Sequence, residues 1–275
     1  MPLVLSLHNR TSIPVEVDHV RIETVREQST DQIRATPVQY GNKQLTLGEF
    51  FDVSGSCGDD SEIIWEGDCA KIKLIGTGMT TGRMTIRGNA GMHLGAEMTG
   101  GEILCEGDAA DWVGAEMHGG RIRVLGNAGH LIGAVYRGGR RGMTGGEILI
   151  DGNAGNEIGH TMRRGLIAVG GRSGDAPGFN MIAGSIFLFG EAGIRPGAGM
   201  RRGTIAFFSP DQAPRMLPTF QRSSAYDPLF LQQYVRHLNA EGFPGPVECL
   251  TSHYVRYRGD FLEGGRGEIL VRQAV

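Results

Sequence analysis

The sequence lacks the features of a membrane-bound or secreted protein. It has no uninterrupted run of about 18 apolar residues, which is the length that a membrane-spanning helix needs. The start, Met1-Pro2-Leu3, lacks the basic and hydrophobic regions of a signal peptide. The net charge is only −3, so no overall field favours nucleic acid. We therefore expect a soluble, cytoplasmic protein that binds neither nucleic acid nor a membrane.

Motifs for catalysis and metal binding are also missing. The four cysteines are widely spaced and form no Cys-x-x-Cys pair, and the eight histidines are scattered. The sequence contains no Gly-x-Ser-x-Gly, His-Glu-x-x-His or phosphate-binding Gly-x-x-x-x-Gly-Lys-Ser/Thr motif. We expect no catalytic residue and no metal site in this chain.

Glycine, by contrast, is abundant and periodic, with 45 glycines among 275 residues. Three columns recur at a spacing of 19 residues, with one longer step. A fixed short period is typical of a solenoid, in which each repeat stacks on the last. Because glycine adopts positive φ without steric cost, we expect each column to mark a corner. The columns are Gly82, Gly101, Gly120, Gly146, Gly165, Gly184 and Gly203; Gly88, Gly107, Gly126, Gly152, Gly171 and Gly190; and Gly95, Gly114, Gly133, Gly159, Gly178 and Gly197.

Apolar residues between the corners predict short strands. The second and fourth positions after the first column are apolar in every repeat, from Met84 and Ile86 to Ile205 and Phe207. This alternation indicates a strand with one buried face. A methionine column marks another side: Met79, Met98, Met117, Met143, Met162, Met181 and Met200. Three sides and three corners predict an all-β fold, a single-stranded parallel β-helix with three-sided coils of about 19 residues.

Two further columns have a packing explanation. Ala90, Ala109, Ala128, Ala154, Ser173 and Ala192 would stack at a tight inner position. Asn89, Asp108, Asn127 and Asn153 could hydrogen-bond along the stack, as amide ladders do.

The two ends differ from the repeats. Residues 1–60 carry no glycine period and are predicted to form an N-terminal cap, and residues 61–208 the β-helix. Residues 209–275 are predicted to pack on the β-helix as a crossing loop over Ser209–Ser224, a helix opened by Asp227-Pro228 and short strands.

One outer face becomes apolar from the fourth repeat onward. If exposed, it would form a large patch, so we expect a cover. Either the C-terminal helix folds back over it or a partner protein binds there. The residues are Leu149, Leu166, Ala168, Phe187, Phe189, Ala206 and Phe208.

A basic edge accompanies the one long step, from Gly120 to Gly146, which leaves seven extra residues at Tyr136–Gly142. The arginines of this edge are Arg137, Arg140, Arg141, Arg163, Arg164, Arg201 and Arg202. Guanidinium groups at this spacing suit carboxylates or phosphates. Three interpretations stay open: a solvated rim, an acidic partner surface, or a site for the anionic tail of a cofactor.

The repeat unit Gly-x-x-Gly-x-x-x-Gly, as in Gly88/Gly91/Gly95, resembles a known family. It is similar to the right-handed β-helix domain shared by the C-terminal part of glutamate synthase large subunits and by the C subunit of formylmethanofuran dehydrogenase. The flanking segments Ile13–Val17, Leu47–Val53, Gly259-Asp260 and Gly267–Leu270 favour the second family.

This resemblance implies a non-catalytic scaffold subunit in a complex that handles one-carbon units. In the favoured version, a bacterial formyltransferase/hydrolase complex moves formyl from formyl-tetrahydromethanopterin to a methanofuran- or methylofuran-type cofactor and hydrolyses it to formate. The implied partners are sister subunits: an amidohydrolase-like formyl hydrolase, a formyltransferase and a protein similar to the B subunit of the dehydrogenase. The alternatives are a molybdenum or tungsten formylmethanofuran dehydrogenase that reduces CO2 and a detached β-helix spacer of a glutamate-synthase-like enzyme. The resemblance places the cofactor at the level of the complex, with the arginine edge as its candidate contact in this chain.

Overall fold

The structure is a computed structural model that describes residues 1–9, 11–209, 214–244, 249 and 252–273. It is built mainly from β-strands, which confirms the all-β prediction. The strands are β1 Leu3–Leu7, β2 Val15–Glu16, β3 Pro37–Tyr40, β4 Lys43–Thr46, β5 Phe51–Ser54, β6 Glu62–Glu66, β7 Ile72–Lys73, β8 Arg83–Arg87, β9 Glu102–Cys105, β10 Arg121–Val124, β11 Glu147–Ile150, β12 Leu166–Val169, β13 Ser185–Leu188, β14 Thr204–Phe207, β15 Gln221–Tyr226, β16 Tyr254–Gly259 and β17 Gly267–Arg272. The helices are α1 Ile22–Val25, α2 Thr30–Arg34 and α3 Leu229–Ala240, with 3₁₀ turns at Leu47–Glu49 and Phe261–Glu263.

Strands β8 to β14 pair in parallel, each with the equivalent strand of the next repeat. Met84 lies opposite Ile103, and Ile103 opposite Ile122. Their inward side chains are buried, as is every member of the methionine column. This core explains the alternation in the sequence, because each apolar residue stacks on its equivalent in the next repeat.

The small-residue column forms a second line of parallel contacts. Single β-bridges link Cys69 to Ala90 and continue through each member of the column to Ala192. The Asn/Asp ladder is confirmed, and both backbone N–H groups and side-chain amides donate along it. Asp108 Oδ1 accepts the Asn127 N–H at 2.7 Å, and Asn127 Oδ1 accepts the Asn153 N–H at 2.9 Å. Each of these two oxygens also accepts from the side-chain amide of the same residue, at 3.0 Å.

A second ladder, which no sequence pattern indicated, runs beside the first. Asp111 Oδ1 accepts the His130 N–H at 2.7 Å, and His130 Nδ1 accepts the Asn156 N–H at 2.8 Å. Asn156 Oδ1 then accepts from Asp175 at 2.9 Å. His130 is therefore a structural acceptor in this ladder.

The expectation of positive φ at all glycine columns is only partly correct. The columns of Gly82 and Gly95 have positive φ throughout, but in the Gly88 column only Gly88 itself does. At Gly107 and its later equivalents, glycine is needed because the backbone of the preceding repeat leaves no room for a side chain. A Cβ on Gly126 would lie 2.6 Å from the carbonyl oxygen of Gly107. These glycines allow the close approach of two backbones.

Other corners use residues with side chains at positive φ, and the sequence did not predict these corners. One such column is His93, Trp112, Leu131, Glu157, Ala176 and Arg195, with φ between 55° and 68°. Non-glycine residues rarely adopt this conformation. Because no residue of this column is glycine, the glycine pattern of the sequence does not mark this corner.

Both ends of the main sheet change to antiparallel pairing. At one end β1 pairs in parallel with β6 and antiparallel with β5. At the other, β17 pairs in parallel with β14 and antiparallel with β16, which pairs with β15. A smaller sheet has the order β4-β3-β2-β7.

The predicted crossing loop at Ser209–Ser224 needs one correction. Its last part, from Gln221, belongs to strand β15, because Gln221 and Arg222 pair with Arg258 and Tyr257 of β16. Residues 210–213 of this loop lie outside the described residues.

Helix α3 packs on the apolar outer face. Its buried residues Leu231, Val235 and Leu238 join one cluster with Phe187, Phe208 and the other apolar outward residues. The end of the helix is held by polar contacts as well. Arg123 donates to the carbonyl oxygen of Gly242 at 2.8 Å, and Arg121 pairs with Glu147 and Glu241. In the part of the chain that the structure describes, no helix is long and apolar enough to cross a membrane.

Candidate functional site

Four of the arginines directly follow buried residues of the methionine column, which fixes their position on the surface. Met162 and Met200 are fully buried, and each is followed by two arginines and a glycine of the first column. The N–H groups of Arg163 and Arg164 donate to the carbonyl oxygen of Met143 at 2.8 and 3.3 Å. The backbone of this corner is therefore fixed while its guanidinium groups extend outward.

The insertion Tyr136–Gly142 supplies two more arginines. At its exit, the Gly142 N–H donates to the carbonyl oxygen of Thr161 at 3.0 Å. The Met143 N–H donates to Gly133 at 2.8 Å, which returns the chain to the methionine column. Arg140 and Arg141 thus lie beside the corner of the following repeat.

Six of the seven predicted arginines line one groove of about 550 Å³: Arg140, Arg141, Arg163, Arg164, Arg201 and Arg202. Between the last two pairs lie Ile182 and Ala183, the equivalent residues of the intervening repeat. Arg137 is exposed in the insertion and does not line the groove. The prediction that the arginines share one edge is therefore correct for six of them.

The groove carries positive charge with little compensation. Arg201 pairs with Glu263, with 3.2 Å between Nε and Oε2. Among the described residues, none of the other five arginines has a carboxylate within 4.0 Å. Guanidinium groups bind carboxylates and phosphates in a planar, bidentate geometry. The arrangement suits a ligand or surface that presents several anionic groups.

An aromatic cluster that the sequence did not predict lies at the entry of the insertion. The ring centroids of Tyr136 and Trp112 are 5.1 Å apart with planes at 28°, and those of Tyr136 and His93 are 5.5 Å apart. Tyr136 Oη lies 3.0 Å from His93 Nδ1. The sequence does not predict this cluster, because Tyr136 contacts residues of earlier repeats that are distant from it along the chain.

Two buried cysteines, Cys69 and Cys105, carry unreactive thiols. Burial raises the pKa of Cys69 to about 12 and that of Cys105 to about 11. Both thiols therefore stay protonated at neutral pH, and the thiolate is the nucleophilic form. Within the described ranges, no three His, Cys, Asp or Glu side chains are placed to hold a metal ion.

The repeats match a known family model. The model of the GXGXG motif matches residues 68–218, which is more than half of the chain. The chain belongs to the GXGXG family. The glycine columns at Gly88 and Gly95 lie inside the matched segment, as does the whole arginine groove.

Part of the chain is similar to curated formylmethanofuran dehydrogenase subunits. The C subunit of the tungsten-containing formylmethanofuran dehydrogenase 2 of Methanothermobacter marburgensis is 36% identical over 97 residues, 34% of this chain and 36% of the relative. The C subunit of the molybdenum-containing enzyme 1 from the same organism is 42% identical over 95 residues, 34% of this chain and 24% of the relative. The match spans about a third or less of these relatives' length. The resemblance to the C subunits of these enzymes is confirmed.

A solved structure matches almost the entire chain. It is the X-ray crystal structure of the formyltransferase/hydrolase complex (FhcABCD) from Methylorubrum extorquens in complex with methylofuran. The matching chain is 28% identical, with a TM-score of 0.89 over 98% of this chain and 100% of that chain. The match therefore extends beyond the glycine repeats towards both ends of the chain.

Proposed function

We propose that this chain is a non-catalytic scaffold subunit of a formyltransferase/hydrolase complex. The observation that carries the proposal is the match over 98% of the chain to a chain of the FhcABCD complex, at a TM-score of 0.89. The proposed complex moves formyl from formyl-tetrahydromethanopterin to a methanofuran-type cofactor and hydrolyses it to formate. The chemistry belongs to sister subunits: an amidohydrolase-like hydrolase, a formyltransferase and a protein similar to the B subunit of the dehydrogenase.

The architecture suits a scaffold. We propose a right-handed parallel β-helix over residues 61–208, an N-terminal cap over 1–60 and a C-terminal segment over 209–275 that packs on it. The parallel pairing of β8 to β14, together with the line of bridges from Cys69 to Ala192, supports a parallel β-helix, and right-handed connections between parallel strands are the general rule. A stack of repeats joined by backbone hydrogen bonds gives a rigid body with fixed distances along its axis.

The arginine groove is the proposed contact with an anion. Its ligand is either the acidic tail of the furan cofactor or an acidic surface of a sister subunit. The five arginines without a carboxylate partner among the described residues support this assignment. A flexible row of carboxylates would gain several weak, salt-sensitive contacts while its reactive end moves between sister active sites.

Purification of the native complex tests the scaffold role. The chain is tagged in its native cells, isolated at low salt, and the co-purifying proteins are identified by mass spectrometry. We expect the three sister subunits, formate production by the complex, and no turnover by the chain alone. Turnover by the isolated chain at the rate of the complex would show that it is catalytic.

A second candidate role is that of the C subunit in a molybdenum or tungsten formylmethanofuran dehydrogenase. The identities of 36% and 42% to such subunits over about a third of this chain favour it. Metal analysis of the same purified complex separates the two. Molybdenum or tungsten in stoichiometric amount, with CO2 reduction, would support the dehydrogenase and exclude the hydrolase assignment.

A further inference from the structure

The insertion begins with a tyrosine that is held by three residues of earlier repeats. The Tyr136 ring stacks on Trp112 at 5.1 Å between centroids. Its hydroxyl lies 3.0 Å from His93 Nδ1, and its backbone N–H donates to Glu116 Oε1 at 3.0 Å. The ring, the hydroxyl and the backbone of Tyr136 are thus all engaged by residues of earlier repeats.

All three partners of Tyr136 have positive φ. The values are 66° for His93, 68° for Trp112 and 52° for Glu116. Such conformations are unfavourable for residues with side chains and persist where the surroundings stabilise them. Here the left-handed corners place the three side chains around one tyrosine.

The rest of the loop has little freedom near its base. The Gly139 N–H donates to the Tyr136 carbonyl oxygen at 2.9 Å, closing a turn around Arg137 and Gly138. A Cβ on Gly139 would lie 2.6 Å from Glu116 Oε1 and 2.6 Å from Val135 Cγ2. Arg140 and Arg141 follow directly on this turn, so their position depends on how Tyr136 is held.

We propose that Tyr136 is a positioning residue, whose contacts with His93, Trp112 and Glu116 hold Arg140 and Arg141 at the groove and so set its affinity for a ligand with several carboxylates. The proposal rests on the anion-binding function proposed above. A loop that is ordered before binding loses less conformational entropy when its arginines engage a ligand. The tyrosine thus acts on affinity without touching the ligand.

The protonation states agree with a stable contact at neutral pH. Burial, together with the charges of Glu97 and Glu116, raises the pKa of Tyr136 to about 12, so its hydroxyl keeps its proton. Burial and nearby Lys73 lower the pKa of His93, so its imidazole stays neutral. A neutral imidazole can accept a hydrogen bond from the tyrosine hydroxyl at Nδ1.

Binding of an acidic peptide provides the first test. The probe is a fluorescently labelled peptide of eight glutamates, titrated with the purified full-length chain at low salt. We expect Tyr136→Ala to weaken binding about tenfold, the loss that follows when two arginines must be ordered on binding. Tyr136→Phe keeps the ring and should restore most of the affinity. Tyr40→Ala, at a distant aromatic contact with Phe50, serves as the control.

Trypsin provides a readout that needs no ligand. Cleavage after Arg137, Arg140 and Arg141 should accelerate about tenfold in Tyr136→Ala if the loop opens more often. Binding and cleavage that both match the parent chain would overturn the positioning role. A parent chain that fails to bind the probe, while Tyr136→Ala still accelerates cleavage, would instead refute the groove's function and limit Tyr136 to ordering the loop.

Discussion

The carboxylate of Asp260 replaces a backbone carbonyl as the acceptor for Gly199. In the preceding repeat, the equivalent N–H of Asn180 donates to the carbonyl oxygen of Ala198 at 2.8 Å. Gly199 belongs to the last repeat, and its N–H donates to Asp260 Oδ2 at 3.1 Å. Asp260 is only 4% exposed, and its second oxygen accepts from Leu262 at 3.0 Å.

Removing this carboxylate should destabilise the C-terminal end of the stack. We expect Asp260→Ala to lower the free energy of unfolding by about 2–3 kcal/mol, because it leaves two N–H groups without their charged acceptor. Asp260→Asn keeps one acceptor and should cost less. Urea unfolding of the three proteins measures the difference. A stability for Asp260→Ala within error of the parent would contradict this role.

Glu23 has the corresponding role at the first repeat. Its Oε1 accepts from the N–H groups of Thr80 and Thr81 at 2.7 and 3.0 Å and from Thr80 Oγ1 at 2.6 Å. In the next repeat, the equivalent N–H groups of Thr99 and Gly100 donate to the carbonyl of Met79. A side-chain oxygen therefore completes the backbone pattern at both ends of the stack.

The pH dependence of stability should report on Glu23. Partial burial opposes its ionisation, but the bonds from Thr80 and Thr81 outweigh burial and lower its pKa. A carboxyl whose folded pKa is depressed stabilises the protein above its unfolded pKa, and this contribution is lost as pH falls through the folded pKa. Glu23→Gln should therefore cost stability at pH 7 and progressively less below about pH 4. Exposed Glu27→Gln is the control, and equal pH profiles for both variants would refute the prediction.

Regular features of the fold could be predicted from the sequence, because stacked repeats impose the same demand on each equivalent position. The buried columns of Met79 and Ile103 illustrate this. The side-chain contacts at the two ends of the stack could not be predicted in the same way, since Glu23 and Asp260 each occur once and act over 57 and 61 residues of separation. The same holds for Tyr136 in the candidate site, whose partners become neighbours only when the repeats stack.

Gly133 tests the corner geometry. Its φ is +65°, and a Cβ there would lie 2.8 Å from Cδ1 of Ile167. We expect Gly133→Val to cost more than about 2 kcal/mol, through both backbone strain and a clash in the core. Gly138→Ala also places a side chain at positive φ, +87°, but with nothing within 4 Å. It should cost about 1 kcal/mol, and thermal unfolding of both variants separates strain from packing. Equal costs would show that the clash contributes nothing.

Helix α3 offers a matched pair of leucines. Leu238 is fully buried against the apolar outer face, whereas Leu229 is 72% exposed. Leu238→Ala should lower stability by about 2–4 kcal/mol through the cavity that it leaves. Leu229→Ala should change it by less than about 0.5 kcal/mol. Unfolding in denaturant measures the stability of both variants. Similar losses of stability would mean that contacts with the apolar outer face do not hold the helix.

The arginine groove predicts a salt-dependent loss of binding. Changing Arg140, Arg141, Arg163 and Arg164 to Gln should leave folding intact, because these side chains extend from the corners and form no ion pair among the described residues. Exposed charge pairs contribute about 0.2–1 kcal/mol each, so four losses together should weaken binding of a glutamate peptide by about fourfold at the least.

Repeating the same titration at several salt concentrations tests whether the loss of binding is electrostatic. The Debye length falls from about 10 Å at 0.1 M to about 3 Å at 1 M, so the difference between parent and variant should shrink as salt rises. The control is Arg83→Gln with Arg87→Gln, which removes two arginines paired with Glu102 and Glu66 outside the groove. This control lowers the net charge by two and leaves the arginines of the groove in place. It should weaken binding far less than the groove variant does. Equal binding by the groove variant and the parent at low salt would make the arginines a solvated rim.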